Sequence, residues 1–404
     1  MRISLQQARQ LVLACQGLDG SWRLPPGKEG AARTVERLGF VQIDTIAVIE
    51  RAHHHTLWAR RPDYRPDMLD ELLDNDRRVF EYWAAPAAAY VPMVDYRWYL
   101  PRMRRVREGG RQSKWLADHQ GVVREVLGRI EREGPLGSSD FEAPPGTRRG
   151  TWWDWKPAKI ALEALFNRGQ LMVSSRRKFE RRYDLTERVL PPGLDMREPD
   201  LPETYRFGLR RYLAAHGLAT ARDLRWGSVQ RLPSETLREL VAAGEVVRVD
   251  VEGLEKEPHY GLKKVIDAAG RRKSRAPLLH LLSPFDSMAS DRLRLRRLFG
   301  FDYKIECYVS EPKRRYGYFC LPIVWGEQFV GRLDSKADRR TGRYIVHRLH
   351  LESGVGITDE LLTALASTLR SFATFNGCEE VVVSASSPRS VRGALVNELQ
   401  RQPE

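Results

Sequence analysis

Cysteine is scarce in this chain and poorly placed for cross-linking or for metal. The four cysteines, Cys15, Cys307, Cys320 and Cys378, are widely spread and include no Cys-x-x-Cys pair. That spacing argues against a zinc site, an iron–sulfur cluster or a disulfide framework, and no cofactor is expected. Long apolar runs are also missing: none reaches the roughly 18 residues that a membrane span requires. The opening Met1-Arg2-Ile3-Ser4-Leu5-Gln6 carries no apolar core of a signal peptide. A cytoplasmic protein is therefore expected. Negative charge is the scarcer sign, with 53 Asp and Glu against 67 Lys and Arg, a net charge of +14.

What is present points to a polyanionic partner, either nucleic acid or an acidic membrane surface. Arg far outnumbers Lys, which favours bidentate phosphate contacts but equally fits a GC-rich genome. An apolar content of 42 % over 404 residues is ample for packed cores, and the length accommodates roughly two to four domains.

The most informative short stretch is Val41-Gln42-Ile43-Asp44-Thr45. Gly39-Phe40-Val41 is short and β-prone, so it reads as the start of a strand. Alternation on a strand then projects Gln42 and Asp44 from one face, with Val41, Ile43 and Thr45 on the other. A carboxylate beside an amide can hold a water molecule and accept its proton, which is the minimum equipment for hydrolysis. The alternative is structural: Asp44 caps a helix starting near Ile46, and Gln42 is an ordinary strand residue.

Three segments share a plan of helix, turn, helix and basic β-hairpin. In residues 201–275 a helix from Glu203 to His216 precedes a short element, a helix opened by Ser234 and ended by Gly244, and strands at Glu245–Val251 and His259–Val265. In residues 121–200 a helix through Val126 and Ile130 is followed by one at Lys156–Asn167 and a hairpin over 171–185. Residues 1–120 form a less regular first copy. From 276 to 404 the texture turns β-rich, with strands expected at Tyr303–Val309, Tyr316–Ile323, Gln328–Asp334 and Tyr344–Leu351, then a helix Asp359–Phe375. The expected fold is α+β: three tandem winged-helix units plus a small C-terminal β-barrel-like domain.

At this point the residues carry a family signature. Leu38-Gly39-Phe40-Val41-Gln42-Ile43-Asp44-Thr45, Arg51-Ala52-His53-His54-His55-Thr56-Leu57-Trp58 and Phe80-Glu81-Tyr82-Trp83 resemble the YcaQ/AlkZ-like family of bacterial DNA glycosylases. So do Leu281-Leu282-Ser283-Pro284-Phe285-Asp286, Tyr316-Gly317-Tyr318 and Gly331-Arg332-Leu333-Asp334. The likeness runs nearly end to end and implies tandem winged helices and a β-barrel around a basic DNA-binding surface. The Gln42-Ile43-Asp44 triplet resembles the YcaQ branch. That implies catalysis by Asp44 with Gln42, excision of N7-alkylated purines and unhooking of interstrand crosslinks. Two departures stand out: Ala84-Ala85-Pro86 where a His is expected after the Trp, and Ala289-Ser290 where a bulky pair is expected.

The implied chemistry suits one carboxylate. Breaking an N-glycosidic bond develops positive charge on the sugar, which a nearby carboxylate stabilises while accepting a proton from water. An N7-alkylguanine is already cationic and leaves as a neutral base without an acid. Contacts to double-stranded DNA are expected from Arg176, Arg177, Lys178, Arg181 and Arg182 on the second hairpin, and more weakly from Lys263, Lys264 and Arg271-Arg272-Lys273. His53 and His54 are candidates for lining the DNA surface, the alternatives being structural histidines or, less naturally for adjacent positions, metal ligands. Trp152, Trp153 and Trp155 read as core or as a stacking platform. The rival function is a non-catalytic winged-helix regulator, but such a protein usually dimerises on a palindrome, whereas three tandem units point to a monomer.

Overall fold

The computed structural model describes residues 1–84, 87–141, 157–226, 233–269 and 276–401. The tryptophan-rich run 151–156, the basic run 271–273, and Ala85 and Pro86 lie outside the described residues. The chain divides into two compact units, one of Met1–Arg65, Ala84–Ala88 and Gly208–Glu404, the other of Pro66–Trp83 and Ala89–Phe207.

The first unit begins with a strand, Arg2–Ile3, and a helix, Leu5–Cys15. Ser4 starts that helix through a capping box: its Oγ accepts from Gln7 N at 3.1 Å and Gln7 Oε1 accepts from Ser4 N at 2.9 Å. Two amide groups that a helix N-terminus leaves unpaired are thereby satisfied. Ala8, Leu11, Val12 and Leu13 fall on the buried side. Arg2–Ile3 pairs in parallel with Asp250–Val251, completing a four-stranded sheet with Val246–Val251, His259–Leu262 and Ala219–Thr220. Around that sheet the elements follow the expected order of helix (Leu201–His216), short strand, helices (Ala221–Trp226, Ser234–Ala242) and hairpin.

The C-terminal part of this unit holds a curled, half-barrel sheet. Its strands run in the order Leu279–Leu281, Cys320–Trp325, Gln328–Asp338, Arg343–Leu351 and Glu380–Val383, with Ser386–Ser387 also on Arg343–Leu351. Helix Asp359–Phe375, capped by Thr358, lies as expected and buries Leu361, Leu365, Leu369 and Phe372. One expected strand is absent and one is shortened: Tyr303–Val309 is loop, and of Tyr316–Ile323 only Cys320–Ile323 is strand, as part of Cys320–Trp325. The amides of residues 315–319 find carboxylates instead of a neighbouring strand. Glu306 accepts from the N–H groups of Arg315, Tyr316 and Gly317 at 3.0, 2.8 and 3.1 Å. Asp334 accepts from Tyr318 and Phe319, both at 3.1 Å.

In the second unit, helix Pro66–Asp74 buries Met68, Leu69, Leu72 and Leu73, and helices Leu100–Glu108, Arg111–Asp118, Gln120–Glu133 and Pro157–Asn167 follow. A hairpin of Leu171–Arg177 and Glu180–Leu185 pairs from Leu171 opposite Leu185 to Arg177 opposite Glu180, with a register shift between Val173 and Ser175. Its two-residue turn, Lys178-Phe179, has φ of 48° and 69°. Both angles belong to the primed turns that match strand twist, though Asn-Gly is their usual sequence. Among the described residues no helix is long and apolar enough to cross a membrane.

Candidate active site

The strand that carries the Gln-Ile-Asp triplet ends early. Only Val41–Gln42 is regular strand, and Ile43 N extends the pairing by donating to Ala88 O at 2.8 Å. The side-chain alternation nevertheless persists through Asp44: Val41 and Ile43 are buried, while Gln42 and Asp44 are part-exposed. Beyond it the chain turns, because Asp44 Oδ1 accepts from Ile46 N at 2.8 Å. Asp44 thus braces a local turn without opening a helix, since the next helix is Ala52–Trp58. Burial pushes the Asp44 carboxyl above its ordinary value, and the Ile46 amide offsets part of that rise. The combination is a carboxylate held by one oxygen and incompletely solvated.

Two groups within the electrostatic reach of Asp44 come from a segment that reads as strand in the sequence. Burial raises the pKa of both the Cys307 thiol and the Tyr308 hydroxyl, and the Asp44 charge raises each further, while Arg292 acts in the opposite direction. Alternating β-prone residues hide this loop from a pattern-based reading. The signal that could have exposed it is Glu306, a carboxylate ahead of the turn residues Lys313–Gly317.

The three histidines follow a different logic. His53, His54 and His55 all lie buried on Ala52–Trp58. His54 Nδ1 is 2.7 Å from the Tyr64 hydroxyl, and burial pulls its pKa down to about 3. His55 Nε2 donates to Leu281 O at 2.9 Å, and burial brings its pKa to about 4. In the free protein His53 and His54 are core residues, so a DNA-lining role is not carried forward for them.

The other signature motifs also serve as locks. Asp286 and Arg60 form an ion pair in which both side chains are 0 % exposed. The five N–H groups of Arg60 are all used: Nε on Gln16 O, Nη1 on Thr56 O and Asp286 Oδ2, and Nη2 on Gln16 Oε1 and Asp286 Oδ1. Full satisfaction of the fork is what makes a dry ion pair tolerable. Gly317 has φ 147°, and a Cβ there would meet Asp334 Cγ at 2.2 Å. In the second unit, Tyr82 donates to Asn167 O and Trp83 Nε1 to Asn167 Oδ1, both at 2.6 Å. Glu81 is 0 % exposed and is held by Arg176 Nη2 at 2.7 Å and by Arg181 Nε.

The cations expected to meet DNA are accordingly divided. Arg176 and Arg181 serve Glu81, and Arg176 also donates to Phe179 O at 2.6 Å. Arg182 binds Asp140 and donates to Pro135 O at 2.9 Å, tying the segment 135–140 to the hairpin. Arg177 and Lys178, at its tip, are exposed. On helix Lys263–Ala269, Lys263 pairs with Asp267 at 2.8 Å. Lys264 lines a cavity of about 1320 Å³ with Arg33, Arg37, Arg211 and Trp22.

A family model described as DNA glycosylase AlkZ-like matches residues 35–375. The DNA glycosylase AlkZ of Streptomyces sahachiroi is similar over 95 % of this chain and 100 % of that one, with a TM-score of 0.63 and 18 % identity. At that identity the likeness is one of fold. The chain belongs to the DNA glycosylase AlkZ-like family.

Proposed function

With that membership as premise, we propose that this DNA glycosylase is monofunctional and hydrolytic, and that Asp44 and Gln42 carry its chemistry on N7-alkylated purines. The observation that supports this best is the Asp44 carboxylate, which has one oxygen tied to the Ile46 amide and shares a part-exposed side of the chain with Gln42. Its charge stabilises the oxocarbenium character that grows on the sugar. Water, oriented by Gln42, adds to C1′ and gives its proton to Asp44, and the electrons of the C1′–N9 bond leave with the purine. A cationic N7-alkylpurine departs neutral, so this scheme needs no second acid and no amine nucleophile. A crosslinked purine cannot be flipped into a closed pocket, and an open site around Asp44 fits its unhooking. The exposed Arg177 and Lys178 provide phosphate contacts, and tandem winged-helix units in a monomer remain the reading of the element order.

Incubation of the protein with duplex DNA containing N7-methylguanine tests this. Release of the free base, leaving an alkali-labile abasic site and no covalent enzyme–DNA product after borohydride, is expected. Strand cleavage through a trapped amine adduct would overturn the hydrolytic scheme, and binding without base release would favour a regulator.

A further inference from the structure

We infer that Tyr308 is the side chain that stacks against the purine at the Asp44 site, and so helps to select cationic bases; the inference rests on the hydrolytic reading of Asp44. At 75 % exposure it is the most exposed large apolar or aromatic side chain among the described residues. Exposing a ring costs hydration free energy, and a ring displayed singly on a loop carries little weight by itself. Here the loop is built to display it.

Its base is rigid. Phe301 and Tyr303 stack at 5.9 Å, and Tyr303 donates from its hydroxyl to Cys320 O at 2.6 Å. Arg332 lies over Phe301 at 4.4 Å and over Tyr316 at 4.1 Å, while Glu352 holds its guanidinium at 2.6 Å. Glu306, two residues before Tyr308, gathers the three amides of 315–317. Arg314 Nε closes the other side by donating to Val309 O at 2.8 Å. A ring presented on such a loop loses little freedom when it meets a ligand.

Its position is set by one strand. Gln328–Asp338 holds the Tyr308 loop through Asp334. Three residues further on, Ala337 N donates to Val48 O at 2.9 Å, anchoring the segment that follows Asp44. Between the two anchors the register shifts at Asp334/Ser335, a bulge of the kind that re-aims side chains near functional sites. The field of Asp44 reaches Tyr308. Among the described residues Tyr308 has no ring partner, whereas Tyr318 lies beneath Arg314 at 4.8 Å. A carboxylate with an unpaired aromatic ring within reach of its field suits a flat cation. The face attracts positive charge, and stacking keeps the leaving base oriented and water away from it.

The test compares Tyr308→Phe and Tyr308→Ala in single-turnover release of N7-methylguanine, with Asp44→Asn alongside. Tyr308→Ala should slow excision about tenfold to a hundredfold, and Tyr308→Phe by no more than about twofold, because the aromatic face remains. Affinity for undamaged duplex and the melting temperature should not change. In the Asp44→Asn background, adding Tyr308→Ala should abolish the preference for N7-methylguanine duplex over undamaged duplex. Near wild-type excision by Tyr308→Ala would overturn the assignment, as would an equal loss in Tyr308→Phe, which would place the function in the hydroxyl. Undiminished activity of Asp44→Asn would instead remove the hydrolytic reading of Asp44, leaving the two tyrosine variants to be judged on their own rates.

Discussion

Asp44 and Glu81 are both carboxylates withdrawn from bulk water, and the protein treats them in opposite ways. Asp44 keeps one amide partner, and burial raises its pKa. Glu81 is more deeply buried but lies between two guanidiniums. Desolvation opposes charge at both positions. At Glu81 two fixed cations compensate, so the charge is locked in place and chemically occupied. At Asp44 compensation is incomplete, so the carboxylate gains most from a passing positive charge such as an oxocarbenium ion. A poorly compensated carboxylate at the edge of solvent is therefore the stronger catalytic candidate.

Asp44→Asn is the most severe way to break this contrast. It preserves shape while removing charge, and excision should fall by roughly two to four orders of magnitude in single-turnover release of N7-methylguanine. Glu81→Ala should act on folding instead. It strands Arg176 and Arg181 without their anion and should cost about 3–5 kcal/mol in denaturant unfolding. The protein that remains folded should excise at near wild-type rate. A Glu81 variant that is stable yet inactive would exchange the two roles.

Acid sharpens the same distinction. Excision should fall as the pH drops through the Asp44 pKa, with a midpoint above the usual value of 3.8 for Asp, and no such limb should appear in the residual rate of Asp44→Asn. For stability the sign is reversed. A raised pKa means that the folded state favours the protonated carboxyl, so the stabilising term is complete below the unfolded pKa and lost as pH rises through the folded one. Asp44→Asn should consequently melt no lower than wild type at pH 7 (differential scanning fluorimetry suffices). The mildest effect belongs to the exposed hairpin tip. Replacing Arg177 and Lys178 with Ala should flatten the log–log salt dependence of DNA affinity by about 0.9 per lost phosphate contact while leaving the saturated excision rate unchanged. An unaltered slope would take this tip out of the DNA interface.

Much of this was legible in the residues. The Asp359–Phe375 helix lies at its expected bounds, and the Leu171–Leu185 hairpin is a hairpin as expected. Gln42 and Asp44 were legible as a pair because two-residue periodicity survives even where regular pairing stops. The loop from Phe301 to Phe319 was not legible. Its residues favour strand, but Glu306 and Asp334 draw away the amides a strand would need, and competition between side chain and neighbouring strand is decided only in three dimensions. The division of the hairpin arginines was equally hidden. Arg176 and Arg177 are adjacent and chemically identical, and contacts with the distant Glu81 and with Phe179 O distinguish the anchored one from the exposed one.

The pairing of Arg2–Ile3 with Asp250–Val251 has a consequence for how the chain is made. The strand leaves the ribosome before its partner, which follows after the whole of the second unit has been synthesised. At roughly 5–20 residues per second, the wait is on the order of tens of seconds. During that interval the amphipathic Leu5–Cys15 helix has Trp22 beside it but lacks the helices Lys263–Ala269 and Arg292–Phe299, and the second unit, contiguous but for a short excursion, is free to fold first. Biosynthesis thus leaves the segment after Asp44 waiting for its anchor at Ala337 until most of the chain has been made.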